Sequence, residues 1–139
     1  MRQLQRSFQV ETRGKALYDI TAPVRDVVAA SAIERGLVTI FIAHTSASLV
    51  IQENADPEVQ RDLERFFARL VPEGDPLFRH RDEGPDDMPA HVRAALTQTS
   101  LGVPIVGGEL ALGTWQGIYV YEHRNHPHAR KVLVHVLGE

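Results

Sequence analysis

The feature that most constrains the fold is a short apolar run, Leu37–Ala43, between Gly36 and a polar segment that begins at His44. The run is short for a buried helix and rich in β-branched residues, which favour strands. Because it does not alternate between apolar and polar positions, it predicts a strand buried on both faces. The chain would then place other elements on both sides of this strand.

Three segments show the signals of helices. Asp56-Pro57 combines a capping carboxylate with a proline at the first helical position, and apolar residues then recur at spacings of three and four as far as Leu70. A shorter helix is predicted over Pro89–Gln98. Another is predicted to begin with Thr21 as its cap and to stop at Gly36.

The remaining apolar segments are typical of strands. Two hairpins are predicted: Leu4–Thr12 with Ala16–Thr21 across Arg13-Gly14, and Val103–Val106 with Glu109–Leu112 across Gly107-Gly108. The other predicted strands are Ser48–Gln52, Thr114–Glu122 and Lys131–Leu137. Helices and hairpins interleaved within 139 residues favour one α+β domain over 1–139, a sandwich of mixed or antiparallel sheet with about three helices.

The composition narrows the class of function. Fifteen basic against eighteen acidic residues give a formal charge of -3, whereas a protein built mainly to bind nucleic acid is clearly basic. No segment approaches the ~18 apolar residues that span a bilayer. Met1–Arg6 lacks the apolar run of a signal peptide. We therefore expect a cytoplasmic protein without nucleic-acid or membrane partners.

The chain has seven histidines and no cysteine, so a transition metal would have to be held by His, Asp or Glu. Residues 80–91 have a histidine at each end and several carboxylates between them. Imidazoles and carboxylates are ordinary ligands of zinc and other divalent ions, and one carboxylate could instead orient a ligating histidine. The spacing matches no standard zinc motif, so a solvated loop with Asp87 capping the next helix is the alternative.

Two other polar segments could bind an anion. Thr45 and Ser46 follow the apolar run, and hydroxyls and backbone N–H groups at a strand end can bind anions, although they also form turns that satisfy only their own backbone. Arg124 follows a predicted strand, where its guanidinium could bind a phosphate through two hydrogen bonds. Its alternative is a surface ion pair with a carboxylate such as Glu122 or Asp87.

Two further positions attract attention. Glu53 has no evident structural task, unlike the capping Asp56. Trp115 is the only tryptophan and stands with Gln116 between two glycines, where a ligand could approach the backbone. An ordinary core tryptophan with polar residues at a sheet edge is the alternative.

Three blocks together resemble the YjbQ-like family, also called the secondary thiamine-phosphate synthase family. They are HTSASLVIQENADPEV at 44–59, HRDEGPDDMPAH at 80–91 and GTWQGIYVYEHR at 113–124. The resemblance spans nearly the whole chain. It implies an α+β fold, a homotrimer, a metal-associated histidine cluster and a weak thiamine-phosphate synthase activity.

The resemblance also implies a set of site residues. We expect a divalent metal, zinc or magnesium, on three of four histidines, which are His44, His80, His91 and His123. We expect an anion pocket beside the metal, lined by Thr45, Ser46, Gln116 and Arg124. The candidate catalytic carboxylates are Glu53 and Asp87.

The implied reaction joins an aminopyrimidine diphosphate to a thiazole phosphate and releases pyrophosphate. The protein mainly has to hold two anionic substrates and stabilise the leaving group, so it needs no nucleophile of its own. The same residues would suit a metal-dependent phosphate-ester hydrolase with Asp87 or Glu53 as the base. A trimeric module that binds a metal or small ligand without turnover is a further alternative.

Overall fold

The computed structural model describes residues 1–139 and contains eight strands and three helices. The strands are β1 (Arg2–Glu11), β2 (Ala16–Asp19), β3 (Arg35–Ile42), β4 (Ala47–Glu53), β5 (Ser100–Val106), β6 (Glu109–Leu110), β7 (Gln116–Glu122) and β8 (Ala129–Gly138). The helices are α1 (Thr21–Ser31), α2 (Pro57–Leu70) and α3 (Asp87–Leu96). None of these helices has both the length and the apolar character needed to cross a membrane.

The strands form two antiparallel sheets, which confirms the predicted α+β class. The larger sheet has the order β1-β8-β3-β5-β6, and the smaller sheet has the order β2-β7-β4. A core of 17 buried apolar residues draws on both sheets and on α1. The other face of the smaller sheet packs against α2 and α3, and this side carries the candidate site.

The apolar run forms β3, near the middle of the larger sheet, but the prediction that both its faces are buried is wrong. Val38 and Ile42 lie in the core, whereas Leu37 and Phe41 on the opposite face are 48% and 45% exposed. Successive side chains of a strand point to opposite faces, and no element of this chain covers the outer one. Leu137, which pairs with Leu37 and is 41% exposed, completes an apolar outer patch with Leu37 and Phe41.

The predicted hairpin at Arg13-Gly14 is also wrong. β1 pairs with β8 in the larger sheet, whereas β2 pairs with β7 in the smaller sheet. The turn therefore passes the chain from one sheet to the other. The hairpin at Gly107-Gly108 is confirmed, with β5 paired to β6 and both glycines at positive φ.

Gly36 lies inside β3 and does not end α1, which corrects its predicted role. The helix ends at Ser31, and Ala32 adopts the left-handed conformation that follows many helices, with φ of 55°. A Cβ on Gly36 would lie 2.2 Å from the carbonyl oxygen of Leu137. Only glycine allows β3 and β8 to approach this closely.

Of the two predicted helix caps, Asp56 is confirmed and Thr21 is wrong. The carboxylate of Asp56 accepts a hydrogen bond from the Glu58 N–H at 2.9 Å, so the predicted cap of α2 is confirmed. Thr21 is the first residue of α1 and not its cap, and its N–H donates to Asp19 Oδ1. The Thr21 hydroxyl instead accepts from the backbone N–H of Ile118, which ties α1 to β7.

Candidate functional site

The amino end of α3 brings two histidines to one aspartate. Asp87 opens the helix and His91 follows one turn later on the same face, while His80 reaches the same carboxylate from the preceding loop. The distances to Asp87 Oδ2 are 2.8 Å from His80 Nε2 and 3.1 Å from His91 Nε2. We refer to His80, Asp87 and His91 as the histidine–aspartate cluster.

The contacts of His91 indicate which of its ring nitrogens carries the hydrogen. His91 Nδ1 lies 2.9 Å from the carbonyl oxygen of Thr45, and a carbonyl only accepts, so Nδ1 carries the imidazole hydrogen. The lone pair of the neutral imidazole is then on Nε2, which faces Asp87 Oδ2. A lone pair and a carboxyl oxygen at this distance need either a hydrogen or a metal ion between them.

The cluster fits a divalent ion. His80 Nε2 and His91 Nε2 lie 2.8 and 3.1 Å from Asp87 Oδ2, and all three ligand atoms lie within 4.8 Å of one another. These separations are close to the ~4 Å that two ligands of one zinc ion can span. Two imidazoles and a carboxylate are a normal donor set for zinc. A backbone carbonyl that accepts from the far nitrogen, as Thr45 does for His91, is the usual way to orient a ligating histidine.

Arg124 holds the carboxylates at this helix end. Its Nε–H donates to Asp86 Oδ2 at 2.9 Å, its Nη1 forms an ion pair with Asp87 Oδ1 at 2.9 Å, and its side chain is 11% exposed. Burial raises the pKa of Asp86, but the hydrogen bonds from Arg124 and from the Asn125 N–H outweigh burial and lower that pKa overall. The structure therefore favours the ion-pair alternative for Arg124 over a free phosphate-binding guanidinium.

A cavity of about 460 Å³ adjoins the cluster. Its walls include Phe78, His80, Arg81 and Met88, so the exposed edge of the cluster faces it. The guanidinium of Arg81 is exposed and donates to the carbonyl oxygen of Phe78. Sequence reasoning missed Arg81, although its position next to His80 in a matched block was an available signal.

His44 lies outside the histidine–aspartate cluster and is occupied elsewhere. Its Nε2 accepts the backbone N–H of Lys131 at 2.8 Å. Partial burial, together with the positive charge of Arg130, lowers the pKa of His44. Neutral His44 therefore has its one lone pair engaged by the backbone and is not free to ligate a metal in this conformation.

Beside His44 lies a buried ion pair between Arg130 and Glu122, which the sequence reasoning also missed. Arg130 donates to both carboxylate oxygens of Glu122 and to Ser46 Oγ at 3.0 Å. Burial raises the pKa of Glu122, but hydrogen bonds from Arg130 and Thr12 outweigh burial and lower it overall. The Ser46 hydroxyl is thus used inside the protein, while the Thr45 backbone serves His91.

His123 is also outside the cluster, even though Arg124 beside it reaches Asp87. The His123 side chain is 0% exposed and packs on Tyr121 with 4.5 Å between ring centroids. Its Nε2 lies 2.9 Å from Ser48 Oγ. The structure therefore brings together two of the four predicted histidine ligands, with Asp87 as the third group.

Glu53 and Gln116 lie at the other end of the smaller sheet. They pair with each other where β4 ends and β7 begins, whereas Ala47 pairs with Glu122 at the end near Arg124. Six residues of strand correspond to roughly 20 Å. Within one chain, neither Glu53 nor Gln116 can share a pocket with Arg124, so the predicted four-residue anion pocket is not assembled.

The residues at this far end form a structural corner. Asn54 Nδ2 donates to the carbonyl oxygen of Thr114, and Gln116 Oε1 accepts the N–H of Gly113. Trp115 is 63% exposed and is not a core residue.

Fold and site together define a class: a small α+β sandwich with a histidine–aspartate cluster at the edge of a cavity. Residues 6–139 match the family described as UPF0047 protein YjbQ-like. The chain belongs to this family, as the sequence blocks indicated.

Individual relatives support this family assignment. The chain is 55% identical over 138 residues to a UPF0047 protein of Synechocystis, covering 99% of this chain and 94% of that one. It is 39% identical to the UPF0047 protein YjbQ of Salmonella typhimurium, over 97% of this chain and 98% of that one. A crystal structure of a hypothetical protein from Aeropyrum pernix K1 superposes with a TM-score of 0.88 at 31% identity, covering 98% and 99% of the two chains.

Proposed function

We propose that this protein is a metal-associated enzyme that acts on phosphorylated small molecules, with a reaction like that of a thiamine-phosphate synthase. The observation that carries the proposal is the convergence of His80 Nε2 and His91 Nε2 on Asp87 Oδ2, with His91 Nδ1 oriented by the Thr45 carbonyl oxygen. His80, Asp87 and His91 would hold the divalent ion. The ion would stabilise negative charge on a diphosphate leaving group.

The chain's own residues would bind and orient the substrates. Arg81 is the cation in the cavity wall best placed to hold a phosphate group, since Arg124 is engaged by two carboxylates. Phe78 and Met88 offer apolar surface for a heterocyclic ring. The cavity of about 460 Å³ has the size of an ordinary small-molecule site.

The hydrolase alternative has less support. A general base needs a free lone pair near the substrate, but Asp87 is 2% exposed and is already in contact with Arg124 at 2.9 Å and His80 at 2.8 Å. Glu53 lies at the far end of the smaller sheet. A measurement of turnover decides between an enzyme and a binding module without catalysis.

We propose a homotrimer, as the resemblance implies, in the cytoplasm and without nucleic-acid or membrane partners. The outer patch of Leu37, Phe41 and Leu137 supports self-association, because it exposes contiguous apolar side chains on an open sheet face. Light scattering should give three times the 15.5 kDa mass of the chain. A monomer or dimer mass would refute the trimer.

The decisive experiment combines metal binding with a substrate panel. Zinc and magnesium binding is measured for the wild type and Asp87→Asn, with Asp82→Asn as an exposed control in the same loop. Pyrophosphate release is then measured with both thiamine precursors, and phosphate release with phosphate monoesters. Arg81→Ala tests the substrate contact, and Arg79→Ala removes the same charge from an exposed neighbour outside the cavity wall.

We expect Asp87→Asn to weaken metal binding at least about tenfold and to abolish coupling. Arg81→Ala should raise KM for the precursors, and both control variants should behave as the wild type. Metal binding that Asp87→Asn leaves unchanged would refute the metal site. Metal binding without turnover would favour the binding module, and hydrolysis without coupling would favour the hydrolase.

A further inference from the structure

We propose a second ligand site, for a small oxyanion such as a phosphate or carboxylate group, beneath α2 and distinct from the histidine–aspartate cluster. It is formed by Arg93, Tyr121 and His123, which are 1%, 2% and 0% exposed. Each has a buried side-chain atom with no hydrogen-bond partner in the protein: Arg93 Nε, Tyr121 OH and His123 Nδ1.

The position of these atoms matters more than their number. A few unpaired buried polar atoms per hundred residues is ordinary for a native protein. Here they belong to neighbouring side chains. The rings of Tyr121 and His123 pack at a tilt of 48° with 4.5 Å between centroids. Phe67 packs edge-on against Tyr121, and its ring lies 5.9 Å from the Arg93 guanidinium carbon. Three unpaired polar groups in one patch point to a shared partner.

The unpaired atoms favour an acceptor as that partner. The Arg93 Nε–H can only donate, and the phenol of Tyr121 can donate as well as accept. His123 Nε2 lies 2.9 Å from Ser48 Oγ, and the Thr97 hydroxyl that contacts Ser48 Oγ at 2.6 Å also faces the carbonyl oxygen of Arg93 at 2.9 Å. The patch therefore offers two donors, the Arg93 Nε–H and the Tyr121 phenol, with a ring nitrogen of His123 beside them.

The patch already holds one carboxylate. Glu64 on α2 accepts from Arg93 Nη1 at 3.2 and 3.0 Å, and the Glu64 side chain is 41% exposed. A ligand with the same chemistry therefore has a precedent within the chain. Because Glu64 uses Nη1, the Nε–H of Arg93 stays available to a second oxyanion.

A cavity of about 300 Å³ adjoins the patch at Tyr121, and the other two patch residues do not line it. This volume admits inorganic phosphate or a small carboxylic acid. Residues of α2 line the cavity, and none of them is fully buried. The two cations in its walls, Lys15 and Arg61, are each paired with a glutamate.

The test uses phosphate and acetate as probes on full-length protein. The protein is treated with a chelator, so that a metal in the histidine–aspartate cluster cannot bind the probe. Binding is followed by calorimetry and by the Nδ1 resonance of His123. The central variant is Tyr121→Phe, which removes only the unpaired hydroxyl. Tyr119→Phe is the matched control, because Tyr119 is buried on the same face of β7.

We expect saturable binding of at least one probe and a loss of roughly tenfold in affinity for Tyr121→Phe. Tyr119→Phe and Asp87→Asn should bind as the wild type does. In probe-free buffer Tyr121→Phe should be at least as stable as the wild type, since it deletes a polar group that has no partner. Saturable binding of phosphate indicates a phosphate ligand, and saturable binding of acetate indicates a carboxylate ligand.

Three results would overturn the proposal. One is the absence of saturable binding of either probe. Another is binding that Tyr121→Phe leaves unchanged, which would place the anion elsewhere. The last is a loss of stability for Tyr121→Phe in probe-free buffer, which would show that a permanent partner already satisfies the hydroxyl.

Discussion

Lowering the pH from 7 to 5 should destabilise the folded chain through one buried side chain, His123. Burial, reinforced by the positive charge of Arg93, lowers the pKa of His123 to about 3. In the unfolded chain this imidazole titrates near its ordinary pKa of 6.5. The imidazole is fully enclosed in the native state and cannot take up a proton without opening the structure.

The sign and size follow from proton linkage. Between the two pKa values the unfolded chain binds the extra proton, so stability is greatest above pH 6.5 and falls as the pH falls. One pH unit in this window corresponds to about 1.4 kcal/mol, so a change from pH 7 to 5 costs about 2 kcal/mol. The window should end at pH 5, because at lower pH Asp86 and Glu122, whose pKa values are lowered, begin to lose their own contributions.

The assay is urea unfolding at pH 7, 6 and 5 at one protein concentration, with the wild type, His123→Gln and the exposed control His126→Gln. His44 has a lowered pKa and titrates in all three proteins, so the difference between wild type and His123→Gln isolates His123. We expect a weaker pH dependence only in His123→Gln. A native His123 that titrates near 6.5 by NMR, or equal slopes in all three proteins, would refute the reasoning.

Three shorter predictions test the fold. Asp56→Ala removes the cap of α2 and should cost about 1 kcal/mol in urea unfolding; an unchanged midpoint would show that the cap bond contributes nothing. Gly36→Ala forces a Cβ to within 2.2 Å of the Leu137 carbonyl oxygen and should cost about 1–3 kcal/mol, so wild-type stability would contradict that close approach. Phe41→Asp should lower the mass seen by light scattering, whereas Leu77→Asp, at a 78% exposed loop position, should not; an unchanged mass for Phe41→Asp would remove the outer patch from the assembly.

Local signals were enough wherever a structure depends on neighbours in the chain. The start of α2 at Asp56-Pro57 and the hairpin at Gly107-Gly108 were predicted correctly, because a cap and a tight turn each involve residues a few positions apart. Three blocks of consecutive residues were also enough to recognise the family. The proximity of His91 to Asp87 follows from helical spacing only because α3 begins at Asp87, two residues before the predicted start at Pro89.

Strand partners needed the tertiary structure. The Arg13-Gly14 turn has the same local chemistry whether the chain returns along β1 or crosses to the smaller sheet, and it crosses. β3 is apolar on both faces, yet nothing in its sequence states which face the rest of the chain covers. Pairing and coverage depend on the whole set of strands competing for partners.

In the candidate site, too, residue types followed from the sequence and contacts followed from the tertiary structure. The sequence by itself identified the residue types that could bind a metal and an anion, and it placed one of them, His91, on a helix. Only the tertiary structure decided that His80 joins Asp87 and His91, that Arg124 is engaged by Asp86 and Asp87, and that His123 is enclosed. The reason is physical: a charged or polar side chain binds whichever partner the fold brings within about 3 Å, and those partners come from distant parts of the chain.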